Sequence, residues 1–434
     1  MGRLERAVAG KPARPIRQDY KQLSREGREL ASRRDPASKS GRDTVIVSGK
    51  RTAFGAFGGA LKDIPAVDLG AKAIRAAVDA AGLQGPEVDY VFVGQVVQAG
   101  CGQVPGRQAC LRAGLPVEVP SDTINKVCAS SLRAANLADN LIRLGEADVV
   151  VAAGMESMSQ GPYLVHGARW GLRMNNTKFV DGTVNDGLWC PINNVHMGAY
   201  GDQMAKEFNV SREDQDKWAY RSHARTLEAQ SAGRLADQIF PVEIPQKKGP
   251  AVVFDKDESP RIDTSLEKLA TLKPVFAADG TVTAGNAPAL NDGGSALVIM
   301  SREKADKLGL APLATIISQG WVSREAPYLG TVPYLSIKMA AERLGLALKD
   351  LELIELNEAF AVVALVSLRL GGWPEDIVNV NGGAVAIGHP IGASGARVLM
   401  TLVYEMRRRG ARYGACGICS GGGQGEATIV RVDG

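Results

Sequence analysis

Two cysteines and one histidine have surroundings that could support chemistry. Cys128 lies between an extended pair, Thr123-Ile124, and a predicted helix that runs to about Gly145. The positive end of a helix dipole lowers the pKa of a nearby thiol and increases the thiolate fraction. The sequence therefore predicts a nucleophile at Cys128. The alternative is that Cys128 is a small buried apolar residue, which is the commoner role of a lone cysteine.

His389 is the candidate base for this thiol. It lies in a glycine-rich turn, Asn379 to Gly392, that precedes a second predicted helix. Glycines allow another backbone to approach closely, and neutral imidazole is the usual group that deprotonates a cysteine. A structural role in hydrogen bonding is the alternative for a histidine in such a loop.

Cys419 ends an apolar strand and enters a loop that contains Gly421-Gly422-Gly423. The N–H groups of such a loop can stabilise developing negative charge. A nucleotide-binding loop is the competing interpretation, but the sequence matches neither G-x-G-x-x-G nor the P-loop pattern. Cys416 and Cys419 form one C-x-x-C without a second, so we predict no metal site.

Asn357 follows the apolar segment Leu351 to Leu356 and precedes Glu358-Ala359-Phe360-Ala361, where a helix is predicted to start. Asparagine at this position is typical of a helix N-cap. Its amide is also a neutral donor that could polarise a carbonyl group or orient a water molecule.

The elements around these residues follow an α/β pattern. Apolar strands are predicted at Thr44 to Val47 and Tyr90 to Val93, with an amphipathic helix from Leu69 to Ala81 between them. Short apolar strands that alternate with helices favour a mostly parallel sheet covered on both faces.

An internal duplication relates the two ends of the chain. The segment Ala129-Ser130-Ser131-Leu132-Arg133 corresponds to Ala393-Ser394-Gly395-Ala396-Arg397, and Gly82-Leu83 corresponds to Gly345-Leu346. Two similar halves are therefore predicted, with the loops that carry Cys128 and His389 in corresponding positions.

Charge and composition exclude several classes of function. Residues 1–42 hold 12 Lys/Arg and 5 Asp/Glu, which leaves 39 against 42 in the rest of the chain. The basic excess belongs to this extension, which we expect to be flexible, so nucleic-acid binding is not predicted. No segment approaches the roughly 18 apolar residues of a membrane span.

Six irregularly spaced cysteines in 434 residues do not form a disulfide framework, which indicates a reducing, cytoplasmic location. Import into an organelle through the N-terminal extension is the alternative, although its acidic residues are untypical of a transit peptide.

The chain resembles the thiolase family over about residues 43–434, closest to its acetyl-CoA acetyltransferase branch. The segments that carry this resemblance, in order, are Asn125 to Ser131, Gly154 to Ser159, His196-Met197-Gly198, Thr281 to Asn286, Asn291-Asp292-Gly293, Asn357 to Phe360, Asn379 to Gly395 and Cys419 to Gly425.

The resemblance implies an α/β fold of two duplicated halves, each with a mixed, mostly parallel sheet covered by helices, and an inserted loop domain. The implied parts are the extension 1–42, an N-terminal half formed by 43–158 with 291–310, a loop domain 159–290 that covers coenzyme A, and a C-terminal half 311–434.

The resemblance also implies roles for individual residues. Cys128 matches the acylated nucleophile, and His389 matches its base. His389 and Asn357, the latter through a water, match one oxyanion hole, while the N–H groups of Cys128 and Gly421 match a second. Cys419 matches the acid/base that removes the α-proton of the second acyl-CoA.

Further positions match contacts to coenzyme A or to the acyl group. His196 and Met197 match the pair that lines the acyl pocket in the short-chain branch. The other matched positions are Leu188, Arg261, Phe276, Ala284, Gly285, Leu329 and Phe360.

Three segments depart from the family pattern. Pro288 stands where short-chain enzymes commonly carry a serine that bonds the pantetheine, and proline has neither hydroxyl nor N–H. Ala199 to Gln203 is unusual, and Ser420 and Gln424 vary the glycine loop. These departures leave the acyl-chain preference open.

The implied activity is the reversible Claisen condensation of two acetyl-CoA to acetoacetyl-CoA and coenzyme A, by ping-pong transfer through a cysteine thioester. Coenzyme A thioesters are then substrates, with no permanently bound cofactor, and a homodimer or homotetramer is expected. The alternatives are a 3-ketoacyl-CoA thiolase of longer chain preference in fatty-acid degradation, a β-ketoacyl-carrier-protein synthase, and a non-catalytic acyl-CoA-binding protein.

Overall fold

A computed structural model describes residues 42–433 of the chain. The predicted N-terminal extension lies outside these residues, except for Arg42. The strands are β1 Thr44–Thr52, β2 Gly55–Ala56, β3 Tyr90–Gly94, β4 Ser121–Ile124, β5 Val149–Ser157, β6 Tyr163–Leu164, β7 Val180–Asp181, β8 Trp189–Cys190, β9 Val195–His196, β10 Ile239–Phe240, β11 Val242–Ile244, β12 Val252–Phe254, β13 Asn291–Ser301, β14 Ala314–Ser323, β15 Leu353–Leu356, β16 Tyr413–Ser420 and β17 Gln424–Arg431.

The helices alternate with these strands in both halves. They are α1 Ala66–Ala80, α2 Pro105–Arg112, α3 Ser130–Arg143, α4 Met197–Glu207, α5 Arg212–Ser231, α6 Leu266–Ala270, α7 Arg302–Leu308, α8 Val332–Leu344, α9 Ala361–Gly371, α10 Ala384–Ile387 and α11 Ser394–Arg409. The elements predicted from apolar periodicity are confirmed, with ends that differ by at most five residues.

The long strands form one mixed sheet in the order β15-β16-β17-β14-β1-β13-β5-β3-β4. Strands β3, β4 and β5 pair in parallel, as do β15 and β16, while the remaining neighbours along this path are antiparallel. The α/β fold with a mixed sheet is confirmed. Antiparallel pairs nevertheless outnumber parallel ones, because β13, β14 and β17 each run antiparallel to both of their neighbours in the sheet.

The duplication is visible in the strand order. In the first half β3, β5, β13 and β1 are neighbours in that order, and in the second half β15, β16, β17 and β14 repeat it. In each set the first pair is parallel and the next two are antiparallel. The short pairing of β1 with β14 joins the two halves.

The core lies in layers because side chains alternate between the two faces of each strand. On β1, Val45 and Val47 face a cluster that includes α1 and α2, whereas Ile46 faces a second cluster that includes α3 and α11. A third cluster packs α8 and α9 on the second half. Helices α3 and α11 therefore form a central layer between the halves.

The central helices approach each other closely. A β-carbon at Gly395 on α11 would lie 2.2 Å from the backbone nitrogen of Leu132 on α3. A β-carbon at Gly154 on β5 would lie 2.4 Å from the carbonyl oxygen of Gly392. Real β-carbons do not approach so closely, so these glycines allow α11 to pack against α3 and the loop before α11 to pack against β5.

A buried carboxylate connects the region between the halves to the second half. Glu358 accepts hydrogen bonds from Trp218 Nε1 and Ser222 Oγ on α5, from Asn379 Nδ2 and from the N–H of Val385 on α10. Four donors satisfy a carboxylate that is fully buried. The domain boundaries given above remain predictions.

Within residues 42–433, no helix is long and apolar enough to cross a membrane.

Gly395→Ala should destabilise the protein. The added methyl group meets backbone rather than a flexible side chain, so we expect a loss of about 1–3 kcal/mol in the free energy of unfolding. Urea titration followed by circular dichroism measures this, with Arg407→Ala at the exposed end of the same helix as the control, expected within about 0.5 kcal/mol of wild type. Equal stabilities would show that the two helices can separate freely.

Candidate active site

A largely apolar cavity of about 400 Å³ lies where the two halves and the inserted region meet. Cys128, His389, Cys419 and Gly421 all contribute to its wall. The structure thus brings three of the predicted reactive side chains, from both halves, to one cavity.

The loop between β4 and α3 presents Cys128 to this cavity. Val127, the preceding residue, has a φ of 44°, which is costly for a β-branched residue. Ser130 Oγ holds the loop, because it accepts from the N–H of Lys126 at 2.8 Å and donates to the carbonyl of Val127 at 2.6 Å. Cys128 therefore lies two residues before α3 in a conformation fixed by local hydrogen bonds.

His389 follows α10 in an extended loop whose hydrogen bonds fix its orientation. Its backbone N–H donates to Asn291 Oδ1 at 2.9 Å, and its Nδ1 lies 2.7 Å from Ser394 Oγ. Ser394 Oγ donates its proton to the carbonyl of Pro390, so it accepts from Nδ1–H of the imidazole. In the neutral ring, Nε2 then carries the lone pair that can receive a proton.

Asn357 lies beside the same imidazole. Its Nδ2 is 3.5 Å from His389 Nε2, and its backbone N–H donates to the carbonyl of Gly417. Helix α9 begins at Ala361 with Phe360 as its N-cap, so Asn357 does not cap it. Asn357 Oδ1 is buried and has no hydrogen-bond partner among the described residues. Asn357 is fully buried and is not among the residues that line the cavity, so it lies behind His389 rather than on the wall.

Cys419 lies near the end of β16, before a short 3₁₀ turn at Gly421–Gly423. A β-carbon at Gly421 would lie 3.0 Å from Val127 Cγ2, so the glycine lets the two cysteine loops pack together. Cys416 is in the central layer and does not line the cavity. No group of three or more His, Cys, Asp or Glu that could hold a metal occurs within the described part of the chain.

Comparisons with known proteins identify the family. Residues 44–303 match the family described as "Thiolase, N-terminal domain", and residues 310–432 match "Thiolase, C-terminal domain". The chain belongs to the thiolase family. It is 49% identical to an acetyl-CoA acetyltransferase of Pseudomonas aeruginosa over 90% of this chain and 100% of that protein.

Two other thiolase relatives have similar coverage. An acetyl-CoA acetyltransferase of Cupriavidus necator is 49% identical over 89% of this chain and 99% of its own length. A probable acetyl-CoA acetyltransferase of Escherichia coli is 44% identical over 90% of this chain and 100% of its own length.

Most of the residues that the thiolase resemblance assigned to coenzyme A or acyl contacts line the cavity. These are Leu188, His196, Met197, Phe276, Ala284, Leu329 and Phe360. Gly285 is buried behind the wall, where a β-carbon would lie 2.5 Å from Leu269 and Leu272 side chains. Arg261 is exposed and outside the lining, and its N–H donates to His223 Nδ1.

His196 caps α4 on the cavity wall. Its Nδ1 accepts from the N–H of Gly198 at 3.1 Å, so the neutral ring carries its proton on Nε2. The ring stacks on Phe276 at a centroid distance of 4.5 Å. A β-carbon at Gly198 would overlap the Phe276 ring, so this glycine is needed for the stack.

The electrostatic state of the reactive groups differs from the expectation based on the helix dipole. Burial, with a smaller contribution from the nearby Glu156 carboxylate, raises the pKa of Cys128 to about 12. Burial raises the pKa of Cys419 well above its ordinary value. The predicted lowering at Cys128 is wrong, because desolvation outweighs the effect of the helix terminus.

Burial also lowers the pKa of His389 to about 3, and the positive charge of Arg397 adds to this effect. The resting site therefore holds two neutral thiols and a neutral imidazole. In such an arrangement, charge separates only when a thiol attacks a substrate. N–H donors can then stabilise the negative oxygen that forms.

Three residues that hold His389 and its loop in place are missed when the sequence is searched only for reactive side chains. Ser394 and Asn291 orient His389, as described above. Glu156 is fully buried and accepts from the N–H groups of Val96, Val97 and Gly392. The signal that could have found Asn291 and Ser394 was their position inside segments that resemble the family; their partners required the fold.

His389 should stay neutral over the working pH range. Because its pKa is lowered from 6.5 to about 3, the folded protein binds this proton only in much more acidic solution. Carbon-13 labelling of the imidazoles, with His389→Asn to assign the signal, should show no titration of His389 between about pH 8 and about pH 5. A midpoint near that of a free histidine would contradict the desolvated environment described here.

Proposed function

We propose that this protein is an acyltransferase that interconverts two acetyl-CoA with acetoacetyl-CoA and coenzyme A. The observation that carries this proposal is that two thiols and one oriented imidazole share the wall of a single apolar cavity. The relatives at 44–49% identity are named acetyl-CoA acetyltransferases, which supports the same reaction here.

In the thiolysis direction, His389 Nε2 takes the proton of Cys128, and the thiolate attacks the 3-carbonyl carbon of acetoacetyl-CoA. The carbon–carbon bond then breaks. Its electron pair takes the proton of Cys419, which releases acetyl-CoA and leaves an acetyl group on Cys128. His389 returns its proton to Cys419, so both groups regain their resting state.

In the second half-reaction, His389 takes the proton of the coenzyme A thiol. The resulting thiolate attacks the acetyl group on Cys128, the thioester bond to Cys128 breaks, and the Cys128 sulfur recovers the proton from His389. Condensation is the same sequence in reverse. A raised pKa suits Cys419 to this role, because it holds a proton until a carbanion develops nearby.

Each oxygen that becomes negative needs fixed donors. We assign the N–H groups of Cys128 and Gly421 to one oxyanion, and His389 with Asn357 through a water to the other. In support, Asn357 Nδ2 approaches His389 Nε2 and its Oδ1 is free to accept from a water. Loss of one such donor costs roughly 2.7–4 kcal/mol in other enzymes.

The choice of an acetyl substrate rests on His196 and Met197, which line the cavity beside Phe276. A longer-chain 3-ketoacyl-CoA thiolase is the main alternative, and relative rates of thiolysis across chain lengths distinguish the two. A carrier-protein synthase is less well supported, because Cys419 supplies a second thiol to the cavity.

We also propose that the protein forms a homodimer or homotetramer. Trp170, Met174 and Phe179 lie in the connection between β6 and β7 with exposed fractions of 84%, 91% and 70%. Exposed apolar side chains in one segment are typical of contact surfaces. A cytoplasmic location is proposed from the six free cysteines.

Cys128→Ser should abolish acetylation of the protein by acetyl-CoA, because the serine hydroxyl is a much weaker nucleophile than the cysteine thiol. Cys419→Ala should still be acetylated at Cys128 but should lose at least about 100-fold in acetoacetyl-CoA formation. Intact-mass spectrometry and product assays measure these effects, with Cys416→Ala as the matched control that retains both. Unchanged acetylation of Cys128→Ser would refute the assigned nucleophile.

Pro288 lines the cavity without a polar hydrogen to donate. Pro288→Ser should lower the KM for coenzyme A relative to Pro288→Ala by about 2- to 10-fold, which corresponds to one hydrogen bond of about 0.5–1.5 kcal/mol. The alanine variant controls for loss of the ring. Identical KM values in the two variants would show that this position does not face the pantetheine.

A further inference from the structure

A buried ion pair connects the loop of one cysteine to the hairpin of the other. Lys126, two residues before Cys128, places Nζ 2.5 Å from Glu426 Oε2 on β17. Glu426 is fully buried, while the Lys126 side chain is 18% exposed. The pair joins the first half of the protein to the second.

Glu426 is firmly placed on its own side. Strand β17 pairs with β16 so that Gly425 is opposite Cys419 and Glu426 is opposite Ile418. Glu426 Oε1 accepts from Asn136 Nδ2 on α3 at 2.6 Å. The carboxylate is thus held by the strand that follows the glycine loop and by the helix that follows Cys128.

A second contact ties the same two loops. Ser420 Oγ, immediately after Cys419, donates to the backbone carbonyl of Lys126. Between Lys126 and Cys128, Val127 has the strained φ of 44°. Such a conformation persists only where surrounding contacts determine it. The two contacts from the second half add to the local hydrogen bonds of Ser130 that hold this loop.

The loop of His389 is anchored by different residues. Asn291 accepts a hydrogen bond from the backbone N–H of His389, and Ser394 accepts one from its Nδ1–H. Glu156 accepts from the N–H of Gly392 in the same loop. None of these bonds involves Lys126 or Glu426. A change in the ion pair should therefore alter the distance between Cys128 and Cys419 more than it alters the geometry of the His389 loop.

We propose that Lys126 and Glu426 are positioning residues that fix the separation between the sulfur atoms of Cys128 and Cys419. This inference rests on the proposed function. Exchange of coenzyme A with acetyl-CoA needs Cys128, His389 and the oxyanion donors, whereas cleavage of the carbon–carbon bond needs these and also the proton of Cys419. The ion pair consequently controls carbon–carbon cleavage more than acyl exchange.

The effect is separable from stability. Loss of Lys126 leaves the buried Glu426 carboxylate, within the described residues, with only the longer ion pair to Arg133, whose Nη1 lies 3.5 Å from Oε1, and loss of Glu426 removes the partner of Lys126. Either change should destabilise the fold, while replacement of both partners by apolar groups of similar size is often neutral or stabilising. A purely structural pair would affect both reactions equally, through the amount of folded protein. A positioning pair changes the ratio of the two rates in the protein that remains folded.

The experiment compares two kcat values in the full-length protein: acetoacetyl-CoA thiolysis, and exchange of labelled coenzyme A into acetyl-CoA. Lys126→Met and Glu426→Gln should lower thiolysis by about 10- to 100-fold, as misplacement of reacting groups does. Exchange should fall by less than about threefold, because Ser130 still holds the Cys128 loop. The KM for acetoacetyl-CoA should stay within about twofold, because the part of the cavity wall formed by His196, Met197 and Phe276 is not altered.

Three further variants complete the design. Lys126→Arg retains the charge and should restore the ratio. The double variant Lys126→Met with Glu426→Leu should regain thermal stability but keep the low ratio. Asp139→Asn, a buried change on the same helix α3 that contacts Gln319 and Arg143 instead of either cysteine loop, should lower stability and leave the ratio at the wild-type value.

The outcomes separate the two claims. A wild-type ratio in the single variants, or in the double variant, overturns the positioning role while the proposed function stands. A wild-type protein that catalyses neither reaction refutes the proposed function, and the positioning role with it.

Discussion

The close approach of the two central helices is the constraint on which the site depends. Gly395 on α11 leaves no room for a β-carbon against Leu132 on α3, and Gly154 leaves none against Gly392. Because the loops that precede these helices carry Cys128 and His389, helix packing sets the distance between the proposed nucleophile and its proposed base. Any added volume in this layer would separate them, since a close-packed interior transmits such strain.

The same packing determines the electrostatics. Enclosure between the halves raises the pKa of Cys128 to about 12 and lowers that of His389 to about 3. The two thiols and the imidazole are therefore neutral at rest, and the cavity that they line is largely apolar. In the proposed reaction, charge appears only as the reaction proceeds, when preorganised N–H donors in an apolar cavity are most effective. Neutral resting groups also avoid the cost of unpaired buried charge.

Charged groups are retained in the interior where they join separate parts of the chain. Glu426 connects the two cysteine loops through Lys126, and Glu358 connects α5 to the segment that leads to His389. A buried ion pair contributes little to stability compared with apolar packing. Its directional bonds nevertheless specify one arrangement of the loops, which apolar contacts alone define less sharply.

The sequence by itself determined the elements and the reactive residue types. Apolar periodicity located β1, β3 and α1, the repeated Ala-Ser segments revealed two halves, and the glycine-rich turns marked the loops of His389 and Cys419. These signals are local, because spacing along one chain segment sets which side chains share a face. Only the tertiary structure decided the antiparallel share of the sheet, the raised pKa of Cys128, the Ser394 contact that sets the His389 tautomer, and the Lys126–Glu426 pair. Each depends on contacts between segments far apart in the chain, and desolvation and hydrogen-bond partners exist only after those segments have packed together.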